Sequence, residues 1–287
     1  MKLSWLLAFL TVILLGCSSN AELTRSSYDA DFLSSYFNEA SASVCQGLFS
    51  EDPEDNFEAI NAETFQLLSW NVKKGESDTW LRELAYLASG KQLVLMQEAL
   101  DTMQHKTIFR DNGHWAFAEG YESTAGKTGV ASFSPVDPVG QCELQAHEPW
   151  LGTPKASVIT RYAISRYNET LVVVNTHMIN FTIGTSDYQK QLMAIVNAVE
   201  SHQGPLIISG DFNTWNQRRL DQLNVAMASL KMTPVTYQID NRSRFFGLPV
   251  DHTFVRGFSV QEAKTHLSES SDHNPMTFSL NLVGTNK

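Results

Sequence analysis

Short runs of apolar and β-branched residues recur along the chain between polar turns, at residues 65–70, 93–96, 129–133, 157–162, 171–176 and 206–209, followed by the alternating Met276, Phe278 and Leu280. Their length, or their period of two, predicts strands. Between some of them the spacing changes to three and four. Trp80, Leu81, Leu84, Ala85 and Ala88 follow Ser77-Asp78, and Leu192, Ile195, Val196 and Val199 follow Ser186-Asp187. Both patterns predict helices with capping residues at their starts. A third helix is expected across 218–230, and a weaker amphipathic one carries Phe32, Leu33, Tyr36 and Phe37 ahead of the first strand. Many strands with a few interspersed helices predict an α/β sandwich in one domain.

The chain start follows a different pattern. Lys2 precedes an uncharged apolar run that ends in Leu14-Leu15-Gly16-Cys17. A short cationic start, an apolar stretch and a small residue before Cys form a secretory signal of the lipobox kind, which predicts acylation of Cys17 and removal of residues 1–16. The run of about 13 apolar residues is short for a membrane span, which needs roughly 20. Residues 17–44 are then a tether with the N-terminal helical segment, and 45–287 the folded domain. This places the protein in the bacterial cell envelope, lipid-anchored at the periplasmic face of the outer membrane, or of the inner membrane as the alternative. With Cys17 acylated, Cys45 and Cys142 remain as an even pair in an oxidising compartment, either bonded to each other or as two buried thiols.

Composition limits the functions open to the chain. Of 287 residues, 43% are hydrophobic and 18% charged, which excludes disorder over the whole length. The 21 basic residues against 31 acidic ones give a formal charge of −10, and loss of the leader with Lys2 makes it −11. There is no general attraction to polyanions, so phosphate has to be met locally.

The candidate chemistry lies where the strands are expected to stop, a rigid place to mount a site. One run ends at Asn71, a second at Glu98 and a third at His177; Ser209-Gly210-Asp211-Phe212-Asn213 adds a carboxylate and an amide, and Asp251-His252 and Ser271-Asp272-His273-Asn274-Pro275 complete the set. Each has a structural alternative, such as an Asx-turn at Asp211 or a turn at Asp272 before Pro275. Taken in order, Ser69-Trp70-Asn71, Leu95-Met96-Gln97-Glu98, Asn175-Thr176-His177, Ser209-Gly210-Asp211-Phe212-Asn213 and Ser271-Asp272-His273-Asn274-Pro275 resemble the endonuclease/exonuclease/phosphatase superfamily, which includes pancreatic deoxyribonuclease, abasic-site endonucleases, neutral sphingomyelinases and inositol-polyphosphate phosphatases. The resemblance spans about 65–280 and implies a four-layer αββα sandwich, with two mainly antiparallel sheets packed face to face and helices outside.

The same resemblance, together with the chemistry of phosphoryl transfer, assigns expected roles. Glu98, with Asn71 beside it and Asp272 as second carboxylate, suits a hard divalent cation: Mg²⁺ is expected, with Mn²⁺ or Ca²⁺ as alternatives. Asp211 would orient or deprotonate the attacking water, and Asn213 would donate to the charge that develops. His177 and His273 would contact phosphoryl oxygens, with Asp251 orienting His273. Glu119 and Glu122 are the candidate partners of His177. His252 is read as structural, and a zinc site of His177, His252 and His273 ranks below Mg²⁺. Gly126-Lys127-Thr128-Gly129 lacks the spacing of a phosphate loop, although Lys127 could still reach substrate, and Trp150, Lys155, Phe181 and Arg244 are candidate groove residues. The expected function is hydrolysis of a phosphodiester or phosphomonoester by a monomer, the substrate being nucleic acid, phospholipid or a phosphorylated small molecule. The alternatives are a non-catalytic binding module on the same fold, and a serine hydrolase, which the absence of a Gly-x-Ser-x-Gly elbow disfavours.

Overall fold

The computed structural model describes residues 45, 47–49, 58–61, 63–102, 107–109, 113–124, 126–149 and 152–283. The expected leader, the acylation at Cys17, the tether and its helix, and Trp150 lie outside the described residues. Alternation along the central strands builds the layers. In β1 (Phe65–Asn71), Phe65 and Leu67 point to one core while Leu68 and Trp70 point to another. In β7 (Thr170–His177), Leu171 and Val173 face the first core, and Val172 and Val174 face a third. A strand buried on both faces reads as a continuous apolar run, which is the pattern seen in the sequence.

The remaining elements are α1 (Trp80–Ala88), β2 (Leu93–Leu100), β3 (His114–Ser123), β4 (Gly126–Ser134), β5 (Gly140–His147), β6 (Pro154–Ala163), α2 (Ser186–Val199), β8 (Leu206–Asp211), α3 (Gln217–Ser229), β9 (Thr233–Pro234), β10 (Arg244–Phe245), β11 (Leu248–Pro249), β12 (Asp251–Arg256), β13 (Phe258–Thr265) and β14 (Met276–Leu282). They form two six-stranded sheets, ordered β13-β14-β1-β2-β4-β3 and β5-β6-β7-β8-β12-β9. Among the described strands, β1–β2 and β7–β8 pair in parallel; each strand pair is joined by a crossover helix, α1 or α2, as parallel neighbours require. The sheets pack face to face, with α1 on the outer face of the first and α2 and α3 on the outer face of the second. This is the expected four-layer α/β sandwich.

Every strand expected from an apolar run is present, and so are the three helices within the described residues. The helix starts differ from expectation: Thr79 and Thr185 occupy the cap positions of α1 and α2 without a side-chain cap bond, and Ser186 is already helical. In α3, Asn216 caps properly by accepting from the Arg219 N–H. Cys45 and Cys142 form a disulfide, which settles that alternative among the described residues and ties the segment before β1 to β5. No helix of the described residues is long and apolar enough to cross a membrane.

Candidate active site

The site forms where β1, β2, β7 and β8 end and β12 begins. Parallel register sets His177 of β7 beside Asp211 of β8, and antiparallel register sets Asp251 of β12 against the other side of Asp211. Asn71 and Gln97 are neighbours in the facing sheet. Three residues of the second sheet and two of the first thus reach one level of the sandwich, and a buried amide locks the sheets together beneath them. Asn175 donates to the carbonyls of Met96 and Ala131 and accepts from Gln97 at 2.7 Å.

Local backbone geometry aims the side chains. Glu98 has φ +50° and lies at the break in register between β2 and β4, so a bulge turns its carboxylate out of the strand alternation. Asn213 has φ +48°, and its backbone N–H donates to Asp211 Oδ1 at 2.9 Å. The Asx-turn weighed as the structural alternative is therefore present, and it leaves Asp211 Oδ2 facing the centre. Gly210 permits this arrangement: at φ +149°, a Cβ there would meet the Thr176 carbonyl oxygen at 2.0 Å.

Asp211 Oδ2 accepts from Asn71 Nδ2 at 3.1 Å and lies 3.4 Å from His177 Nε2 and 3.7 Å from His273 Nε2. The two histidines hold opposite charge states. Burial, and then the nearby Lys155 ammonium, push His177 down to about 4, so it is neutral at physiological pH, and its Nε2 accepts from Lys155 Nζ at 3.1 Å. Burial also opposes charge on His273, but Asp251, with both oxygens 2.9 Å from Nδ1, and Asp211 raise it to about 10. His273 is an imidazolium with a fixed Nδ1 proton and Nε2 directed at the centre. Its backbone is held as well: the carbonyl accepts from Trp70 Nε1 at 2.9 Å, and Ser271 Oγ accepts from its N–H.

Burial would push the Glu98 carboxyl up, yet its cationic neighbours bring it down to about 2. The largest of these is His177, which is charged in the acid range where Glu98 titrates, followed by Lys74, whose Nζ donates to Glu98 Oε2 at 2.9 Å. Glu98 Oε1 is 3.9 Å from His177 Nε2.

The structure thus gathers Asn71, Glu98, His177, Asp211, Asn213, Asp251 and His273. Asp272 lies at the exposed rim, 3.9 Å from Lys73 Nζ. Asn213 Nδ2 donates to the Met178 carbonyl at 2.9 Å, which ties the turn to the end of β7. Glu119, one of the two candidate partners of His177, pairs instead with Lys127 at 2.7 Å; Lys155, Asp211 and Glu98 surround the His177 ring. His252 lies behind the site, bonded to Thr214 Oγ1 and close to the Pro249 carbonyl and Arg242, away from the other two histidines' shared centre.

Two supporting residues escaped the sequence reading. Lys74 follows the Asn71 motif on a short 3₁₀ turn with φ +58°. Arg219 is fully buried in α3; it donates to the carbonyls of Ile179, Asn180 and Asn213 and to Thr182 Oγ1, between the rings of Tyr188 and Trp215. A lone Arg at helical spacing carries no signal of this kind.

As to the donor set, Glu98, Asp211 and Asn71 offer oxygens, which suits a hard divalent cation. Asp211, Asp251 and His273 bring one ligand atom each within 4.8 Å of one another. Within that trio both Asp251 oxygens lie 2.9 Å from His273 Nδ1, so these two residues are tied to each other and Asp211 Oδ2 is left facing the centre.

A two-sheet sandwich with a buried carboxylate, histidine and amide cluster at its strand ends is the architecture of phosphoesterases that meet phosphate at one polar centre. The chain belongs to the Endonuclease/Exonuclease/phosphatase family, whose model matches residues 68–273; members are in general hydrolytic phosphoesterases that depend on a divalent metal. Among its relatives, a UPF0294 protein of Vibrio campbellii is 38% identical over 219 residues, covering 75% of this chain and 77% of the relative. The human Nocturnin catalytic domain, solved with a bound sulfate anion, superposes with a TM-score of 0.60 at 18% identity over 79% of this chain and 97% of its own. A mannosyl-6-phosphatase of Bacteroides thetaiotaomicron gives 0.55 at 17% over 75% and 99%.

Proposed function

We propose that this chain is a Mg²⁺-dependent phosphoesterase that cleaves phosphodiester or phosphomonoester bonds while anchored by lipid at Cys17 to a bacterial envelope membrane. The supporting observation is the convergence of Asn71 Nδ2, His177 Nε2 and His273 Nε2 on Asp211 Oδ2, at 3.1, 3.4 and 3.7 Å. Glu98 and Asn71 would hold the cation, with Asp272 adding negative charge at the rim. When bound, the cation supplies positive charge against the phosphoryl oxygens.

The chain's own residues do the rest. Asp211 Oδ2 accepts the proton of the attacking water and fixes its line of approach. His273, kept protonated by Asp251, donates from Nε2 to a phosphoryl or leaving oxygen. Lys155, positioned by its bond to His177 Nε2, brings a second fixed cation to the phosphate. Burial makes these charges worth more than they would be in water. The Cys45–Cys142 disulfide supports export, since such bonds persist in oxidising compartments.

The test is a panel of DNA, RNA, phospholipids and inositol phosphates assayed with the full chain, with Mg²⁺ and with chelator. Mg²⁺-dependent hydrolysis of at least one ester is expected, and Glu98→Ala and His273→Ala each abolish it. Activity that survives both substitutions contradicts the proposal.

A further inference from the structure

The end of the sandwich that carries the site also carries apolar side chains that the fold leaves in water. β10 and β11 form a hairpin with Arg244 opposite Pro249 and Phe245 opposite Leu248, closed by the two-residue turn Phe246-Gly247. Both turn residues have positive φ, +48° and +84°, as a hairpin of this length demands. Asn or Asp usually fills the first position, because a bulky side chain there is strained. Here Phe246 takes it, 87% exposed, beside Phe245 at 53%. The loop after His177 adds Phe181 at 56% and Ile183 at 76%.

These loops are rigid neighbours. Phe246 packs on the Trp215 ring with centroids 6.2 Å apart, Trp215 packs on Arg219, and Arg219 bonds Asn180 and Thr182 on either side of Phe181. Glu148, itself buried, anchors the same loop by accepting from the Asn180 N–H at 2.6 Å. These contacts join the β10–β11 hairpin and the loop of Phe181 into one apolar patch beside the site, Phe181 lying four residues after His177 and Pro249 two before Asp251.

We propose that this patch inserts into a phospholipid bilayer and that the site acts on phosphate esters of lipid head groups at the bilayer surface. The inference rests on the phosphoesterase reading and narrows its substrate class. Aliphatic Ile183 among the aromatics suits acyl chains rather than nucleobases, which stack on rings. The acidic excess of the chain disfavours a nucleic acid. The tether gives the patch a task. Cys45 is pinned through Cys142 to the half of β5 remote from the site, so lipidation at Cys17 does not by itself turn the site toward the membrane. The 28 residues 17–44 could span at most about 95 Å, against a domain about 45 Å across, so chain length alone does not fix which end meets the membrane. The patch selects the site end.

The test uses the full lipidated chain in vesicles of phosphatidylcholine and phosphatidylglycerol, with an environment-sensitive fluorophore on Phe246→Cys or, as control, on Tyr86→Cys of α1. The label at 246 is expected to shift to the blue and to be quenched by bromolipids, and the label at 86 to report water. In parallel, Phe245→Ser/Phe246→Ser is expected to lower hydrolysis of vesicle phospholipid at least about tenfold, since each lost aromatic contact counts for over a kcal/mol of partitioning, and to leave turnover of soluble bis(p-nitrophenyl) phosphate within about twofold. A label at 246 as aqueous as that at 86, a blue shift produced by single-stranded DNA instead of vesicles, or equal effects of the double substitution on both substrates overturns the inference. Failure of the unsubstituted chain to cleave any ester refutes the phosphoesterase reading instead, and the fluorophore result stands apart from it.

Discussion

Gly210 gives the sharpest test of how the fold sets the site. It pairs with Thr176 on one side and His252 on the other, one residue before Asp211. An alanine there carries two penalties. Its φ of +149° lies outside what L residues adopt readily, at a cost of about 1–3 kcal/mol. Its Cβ also falls 2.0 Å from the Thr176 carbonyl oxygen and 3.0 Å from that residue's C and N, all backbone atoms that cannot rotate aside. Relief to ordinary contact moves β8 from β7 by roughly 1 Å and weakens at least one ladder hydrogen bond, worth about 1 kcal/mol. The expected loss of stability is about 2–4 kcal/mol. Because His177 and Asp211 sit one step along the same ladder, a shift of about 1 Å is expected to lower kcat on the order of a hundredfold. Gly90→Ala is the control, since Gly90 has φ +72° but open space around the added Cβ; it is expected to cost only about 1 kcal/mol. Urea unfolding and steady-state kinetics of both variants decide the matter. A Gly210→Ala protein within 1 kcal/mol of wild type and with most of its turnover would refute the argument.

Three further outcomes are expected. Arg219→Met leaves three buried carbonyls and the Thr182 hydroxyl without their donor, which is expected to cost about 3–5 kcal/mol and to lower kcat; unfolding midpoints and kinetics unchanged from wild type would contradict it. Burial, then Arg242, holds His252 down to about 3, so the folded protein refuses a proton that the unfolded chain takes up below about pH 6.5. Stability therefore falls by about 2 kcal/mol from this group between pH 6.5 and 5, and His252→Gln should show a shallower slope in urea titrations at those two pH values. His273 works in the opposite sense, its contribution complete below pH 6.5 and lost as pH rises toward 10. Reduction of the Cys45–Cys142 disulfide, which closes 97 residues of chain, should destabilise the protein by about 4–5 kcal/mol in the chain-entropy limit, checked by unfolding with and without reductant.

Most central strands could be read from the sequence because they are buried and largely apolar; the exception is β12, a buried internal strand whose Asp251, His252 and Thr253 interrupt the apolar run. The long strands that gave no such signal, β3, β5 and β13, are sheet edges in which polar residues interrupt the pattern. Asn71, Glu98, His177 and Asp211 stood out because each comes at or near the end of an apolar, buried strand, where a polar residue must have a partner, and His273 because it stands just ahead of the alternating β14. Their partners were harder to find. Lys155 opens β6 and Lys74 sits on a strained turn, and nothing local marks either as a neighbour of His177 or Glu98; only the register of the sheets brings them there. Asp272 was expected from the resemblance as the second carboxylate for the cation; its side chain lies at the exposed rim, 3.9 Å from Lys73 Nζ.

The central claim is that phosphate is met at one metal-centred cluster built from both sheets. Turnover of bis(p-nitrophenyl) phosphate by the full chain, followed as Mg²⁺ is titrated into metal-free protein, tests it most directly when wild type is set beside Glu98→Gln and Asp211→Asn. The account predicts saturable activation of wild type, a large loss of apparent Mg²⁺ affinity in Glu98→Gln and, in Asp211→Asn, a kcat lower by about 10²–10⁴-fold. Turnover independent of Mg²⁺, or unchanged in both variants, would contradict it.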